Sequence, residues 1–241
     1  MLARSLATLS ALLAIAALAP GCAAEDGTSN ASEEQGESTE AIIGGKSTYS
    51  YPAVGVTVNG GSTGCSATLV RSNVVLLAGH CFEPGRTEIS PWQFEIRKSA
   101  TETYRYPTGR GWVNSRAGAG NDDIALLRLE QHVPASVAAP LAIAQGFPAV
   151  GNSMRQIGFG CTQRNANGVG QGTKRVISFK WGENADASCP GDSGGALIAF
   201  PSSQVVGVIS GFRNDGSNDD IFGWVPSHYD LLTGQIAALS R

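Results

Sequence analysis

Charge is scarce in this chain: of 241 residues, 15% are Asp, Glu, Lys or Arg, where a typical soluble protein carries about 25%. Coiled coils and long exposed helices depend on Glu, Lys and Arg surfaces, so the shortage argues against both. A basic excess is missing too. The net charge is −3, which gives no support to nucleic-acid binding. No two cysteines stand at CxxC spacing and no His/Cys cluster has zinc-ligand spacing, so neither a metal nor a cofactor is expected. Glycine, by contrast, is abundant at 31 residues, with 11 prolines scattered among them. Length allows one large domain or two small ones. The mix points to many short strands joined by tight turns.

The charge is unevenly placed. Residues 1–41 hold Arg4 and six acids, Glu25, Asp26, Glu33, Glu34, Glu37 and Glu40. Taking these from totals of 17 basic and 20 acidic residues leaves residues 42–241 slightly positive. The acidity belongs to a leader. Arg4 precedes an apolar run from Leu6 to Ala19 that ends at Pro20-Gly21-Cys22. A run this short reads as a secretory signal over residues 1–22, whereas a membrane-spanning helix needs a longer one. Cys22 resembles the cysteine of a bacterial lipoprotein box, although Ala19 stands where that pattern prefers Leu. An ordinary signal cleaved nearby is the other reading. Residues 23–41 contain no large apolar side chain, cannot offset the entropy of ordering, and read as a disordered acidic linker or propeptide. Export implies an oxidising destination, where Cys65, Cys81, Cys161 and Cys189 make two disulfides with three connectivities open.

From residue 42 onward, short β-rich runs recur at Ala53–Val58, Ala67–Val70, Val74–Ala78, Phe94–Ile96, Ile124–Leu129, Arg175–Phe179, Ala196–Phe200 and Val205–Ile209. Turn clusters such as Asn59-Gly60-Gly61 and Asn214-Asp215-Gly216 separate them. After Pro226, Tyr229, Leu232, Ile236 and Leu239 recur at helical spacing, which predicts a closing amphipathic helix. The fold class is all-β, a sandwich or barrel in one architecture with two packed halves.

Three blocks carry chemistry. Leu77-Ala78-Gly79-His80-Cys81 ends a strand-like run, Asn121-Asp122-Asp123-Ile124-Ala125-Leu126-Leu127 lies midway, and Cys189-Pro190-Gly191-Asp192-Ser193-Gly194-Gly195 follows. A serine hydroxyl is a weak nucleophile until a base takes its proton, and histidine is the side chain whose titration falls near neutrality. The order His, Asp, Ser, together with Ile42-Ile43-Gly44-Gly45 and Gly64-Cys65-Ser66-Ala67-Thr68-Leu69, resembles the chymotrypsin/trypsin-like serine proteases.

That resemblance covers nearly all of residues 42–241. It implies two antiparallel six-stranded β-barrels with the active site between them and a C-terminal helix. It also implies a serine endopeptidase with His80 as base, Asp123 as its orienting acid and Ser193 as nucleophile. Asp122 is the rival acid, less well placed because the family acid directly precedes the Ile-Ala-Leu strand. The resemblance gives backbone N–H groups of Gly191 and Ser193 as the oxyanion hole, and Ser210 as the serine bonded to the catalytic Asp. His132 and His228, outside the motifs, are read as surface residues. Cys65–Cys81 matches the family disulfide beside the catalytic His. Cys161–Cys189 is then the remaining pair, against two free thiols, because the usual partner of Cys189 after Ser210 is missing.

The same likeness implies a zymogen, cut between Ala41 and Ile42 by a separate activating protease, with the freed Ile42 amine pairing with Asp192. Protein or peptide substrates are the expected partners. The product is expected to be secreted or held in the cell envelope, attached to the membrane through Cys22 until that cut. In the specificity pocket, which Ser188 and Ser210 are also expected to line, Ala187 replaces the Asp of trypsin. Asp220, on the opposite wall, is expected to face the floor and give a preference for Arg or Lys, with medium apolar residues as the alternative. Gly211, where relatives carry Trp, opens the substrate-side wall. The rival from another class is a catalytically silent homologue acting as a binding module, but such homologues usually lose His or Ser.

Overall fold

Val74–Leu77 is an uninterrupted apolar run because both of its faces are buried, as the computed structural model shows. Side chains alternate across a strand. Val75 and Leu77 therefore point into one core with Leu69, Phe94, Ile96 and Leu127, while Val74 and Leu76 point into another with Val208, Val225, Leu232 and Ile236. The neighbouring strand Ala125–Leu129 does the same, sending Leu127 and Leu129 inward and Leu126 outward. The structure describes residues 42–82, 92–114, 116–118, 120–164 and 168–241. The expected leader, the linker and Cys22 lie outside the described residues.

In chain order the strands are β1 (Lys46–Ser47), β2 (Val54–Asn59), β3 (Ser62–Arg71), β4 (Val74–Leu77), β5 (Gln93–Arg97), β6 (Thr103–Val113), β7 (Ala125–Leu129), β8 (Ser153–Gly158), β9 (Arg175–Lys180), β10 (Ala196–Phe200), β11 (Gln204–Phe212) and β12 (Asp220–Trp224). Six of them close into a barrel in the order β2-β3-β4-β7-β6-β5, with β5 pairing back onto β2. The other six form an antiparallel sheet in the order β1-β9-β8-β10-β11-β12. A 3-10 turn at Pro226–His228 leads into the closing helix α1 (Tyr229–Leu239), which buries Leu232, Ile236 and Leu239. The resemblance implies two six-stranded antiparallel barrels and a terminal helix; the two antiparallel six-stranded sheets and the helix are present, and one of the sheets closes into a barrel.

The second sheet is bolted to the barrel by a buried cation. Lys174, just before β9, directs its ammonium at the carbonyls of Tyr51 (3.1 Å), Val54 (3.3 Å) and Arg97 (3.5 Å). Burial, with Arg97 nearby, holds its pKa down to about 8. An apolar junction joins them as well. Leu76 sits where the barrel, β11 and α1 meet, so Leu76→Ala should lower stability by about 2–5 kcal/mol. Denaturant midpoints would measure this, and a cost below about 1 kcal/mol would show that the junction is not part of the core.

Candidate active site

The two sheets bring their chemistry together at the end of β4. There the chain turns through a short 3-10 segment, Gly79–Cys81, tied to β3 by the Cys65–Cys81 disulfide. Asp123, which leads into β7, is fully buried and meets His80 twice. The His80 backbone N–H donates to Oδ1 at 2.8 Å, and Nδ1 lies 2.6 Å from Oδ2. Ser210 Oγ, from β11, donates to the same Oδ2 at 2.6 Å. An ionised carboxylate only accepts, so Nδ1 carries the proton and Nε2 is left with a free lone pair. The His80 side chain is 41% exposed, so that nitrogen can reach solvent or a substrate. The rival acid has other work. Asp122 lies 3.1 Å from His228 Nε2 and 3.2 Å from Arg116. His228 is thus not the surface residue its position near the terminal helix suggested. Its buried ring also contacts the Asn121 carbonyl, pinning the loop that carries Asp123.

Ser193 stands in the turn before β10, partly exposed. The next residue fixes its place: Gly194 has φ +84°, and a Cβ there would lie 2.0 Å from the Ser66 carbonyl oxygen and 3.1 Å from Leu77 Cβ. Only glycine lets this turn press against β3 and the end of β4, three residues before His80. Each neighbouring peptide is held by its carbonyl. Pro190 O accepts from Cys161 N–H and Asp192 O accepts from Gly195 N–H. In a trans peptide the N–H points opposite its carbonyl, so the Gly191 and Ser193 amides face the other way. Among the described residues, neither has a protein acceptor.

Asp192 is fully buried in a cradle shaped by Gly158 and Gly160, where any Cβ would strike its carboxyl group. Gly160 N–H donates to Oδ1 at 2.7 Å and Cys189 N–H to Oδ2 at 3.0 Å. Burial outweighs these bonds and pushes its pKa up to about 8. Ile42 is buried as well, and the Ile43 amide donates to Ala187 O at 2.9 Å. The chain entering the domain therefore docks on the segment that Asp192 caps.

The candidate specificity residues are also brought together, with one difference from expectation. Asp220 does reach the Ala187–Ser188 segment, but its side chain is fully buried and its oxygens are engaged. Oδ1 accepts from Ser188 N–H at 2.8 Å, and Oδ2 from Gln156 Nε2 at 2.9 Å and Ala187 N–H at 3.2 Å. Burial raises its pKa. The Ala187 position carries only a methyl group, and its backbone N–H is satisfied by Asp220 from the opposite wall. Ser210 faces Asp123 rather than this floor.

Comparison with known proteins agrees with this geometry. The family model described as Trypsin matches residues 42–229. The chain belongs to the trypsin family. Beta-fibrinogenase brevinase of Gloydius blomhoffii is 28% identical over 173 residues, which is 61% of this chain and 73% of that protein. The structure of mouse neuropsin, a serine protease, superposes with a TM-score of 0.67 at 16% identity, covering 80% of this chain and 99% of that one. Membership gives the enzyme class, a serine endopeptidase. The structure also settles the cysteine pairing that the sequence left open. Cys161–Cys189 is a disulfide. Cys65, His80 and Cys81 stand close enough to share an ion, but both sulfurs are spent in their own disulfide. No helix among the described residues is long and apolar enough to cross a membrane.

Sequence reasoning missed three residues here. Gln156 sits on a strand too polar to be recognised, yet its amide also bonds Ser188 Oγ at 2.9 Å. His228 left no local sign of burial. Arg164 lies outside every motif, and its only signal was its place three residues after the unusual Cys161.

Proposed function

We propose that residues 42–241 form a secreted endopeptidase, made as a zymogen, that cleaves peptide bonds through His80, Asp123 and Ser193. The observation that carries this reading is the double contact of His80 with buried Asp123, which leaves Nε2 free as a base on a side chain that is 41% exposed. Ser193 Oγ attacks the substrate carbonyl carbon as His80 takes its proton. The resulting oxyanion is received by the Gly191 and Ser193 amides, each worth about 3 kcal/mol of transition-state stabilisation. His80 then returns the proton to the leaving amine, and water releases the acyl group by the same steps in reverse.

In this reading residues 1–22 direct export and 23–41 form the propeptide. A separate protease cuts between Ala41 and Ile42, since Ala41 is not a basic residue, and any lipid on Cys22 stays with the discarded segment. The preference is for Arg or Lys before the scissile bond, read through Asp220. The test is labelling of matured protein with a fluorophosphonate probe. Label at Ser193, lost in His80→Ala, is expected; an unlabelled matured protein would make this chain a silent homologue.

A further inference from the structure

The Cys161–Cys189 disulfide holds the loop after β8 against the specificity segment, with Cys161 N–H bonded to Pro190 O at 3.0 Å. Three residues on, Arg164 turns inward, and its side chain is only 13% exposed. Its contacts come from both walls of the pocket. On one side Nε donates to Ser188 O at 2.9 Å, and Nη1 pairs with Asp186. On the other, Nη2 lies 3.5 Å from Asn218 O, and the guanidinium carbon stands 4.4 Å over the Phe212 ring. Nη2 is also 3.7 Å from Asp220 Oδ1.

Carbonyl oxygens, carboxylates and an aromatic face are what a planar guanidinium needs when it leaves water. The same set would receive an arginine side chain from a substrate. An arginine meant only for solubility would extend into solvent, and one meant only to pair with Asp186 would need neither Ser188 O nor Phe212. We infer that Arg164 is an internal ligand of the specificity pocket, holding the guanidinium site that a substrate arginine must take over. Arg164 is thus a specificity-determining residue. It raises the KM for basic substrates without entering the chemical steps, and apolar substrates, which have no use for that site, are indifferent to it. An internal occupant weakens apparent affinity by the fraction of time the site is empty.

The inference rests on the proposed basic preference read through Asp220, and the experiment separates the two. Steady-state kinetics on paired Arg and Leu reporter peptides would be measured for matured wild type, Arg164→Ala, Asp220→Asn and the double variant. Inhibition by benzamidine, a guanidinium-like probe, would be measured alongside. Arg164→Ala should lower KM for the Arg reporter by about tenfold or more, on the scale set by a mostly occupied site. The kcat should stay unchanged, benzamidine should bind more tightly to a similar extent, and the Leu reporter should not respond. Asp220→Asn should cancel these gains. If KM for the Arg reporter stays level or rises, or if both reporters change together, Arg164 is a structural strap and the inference is wrong. If Asp220→Asn leaves the Arg/Leu ratio untouched in both backgrounds, the basic preference itself fails.

Discussion

Ser193→Ala and His80→Ala are each expected to lower kcat/KM of the matured enzyme by about a millionfold, and the double variant by little more. The reason is geometric. His80 can act as a base only with a hydroxyl to deprotonate, and the hydroxyl attacks only with a base beside it. Removing either one removes the shared step. Asp123→Asn tests the third contact: an amide cannot hold Nδ1–H in the same way, and the wrong tautomer costs about 10^4-fold. Its second partner makes the argument stricter, because Ser210 Oγ already donates to Oδ2 at 2.6 Å. An Asn amide nitrogen turned toward either group would face a donor. Single-turnover kinetics with an ester reporter would check all three variants. Additive losses in the double variant would mean that the two residues act independently, against a concerted proton transfer.

How much of this could be read in advance depended on where the information lies. The catalytic blocks were legible because each packs its functional residue among close neighbours in sequence: Gly79 before His80, Ile124 after Asp123, Gly194 and Gly195 after Ser193. The twelve strands were less so. Val74–Leu77 and Ala125–Leu129 announce themselves by apolar runs, but Thr103–Val113 carries Pro107, Gly109 and Gly111, which read as breakers. Gly111 is needed there because a Cβ would lie 2.4 Å from the Leu126 carbonyl oxygen across the ladder. The irregularity between Thr108 and Gly111 accommodates this bend. Ser153–Gly158 hid behind its Arg and Gln, whose purpose appears only when Gln156 meets Asp220. Contacts such as His228 with Asp122, or Arg164 with Ser188, join residues 106 and 24 positions apart. Nothing local marks them.

The cut before Ile42 is expected to change how stability depends on pH, and activity with it, through Asp192. In the uncut chain burial raises its pKa to about 8. An unfolded Asp titrates near 3.9, so between about pH 4 and pH 8 the folded state binds a proton that the unfolded state has released. Stability must then fall as pH rises across that window, by about 4 kcal/mol between pH 4 and pH 7. Cleavage frees the Ile42 α-amine, whose ordinary pKa is near 8, beside the segment that Asp192 caps. A cation there lets the carboxylate ionise, so the matured protein should hold its stability from pH 5 to 7 and lose it as the amine deprotonates at higher pH. The same charge pair would tighten the peptides that aim the Gly191 and Ser193 amides, which bonds to the Pro190 and Asp192 carbonyls already orient in the uncut chain. An uncut protein should thus be slower, with about 10^3-fold, the scale of losing an oxyanion donor outright, as the upper bound. Denaturant midpoints at pH 5, 7 and 9.5 for cut and uncut Ser193→Ala protein would measure the stability effect without self-digestion. Asp192→Asn should remove both the slope of the uncut form and the gain on cutting. Parallel pH profiles for the two forms, or full activity in a protein whose Ala41–Ile42 bond is intact, would overturn the link between cleavage and the buried acid.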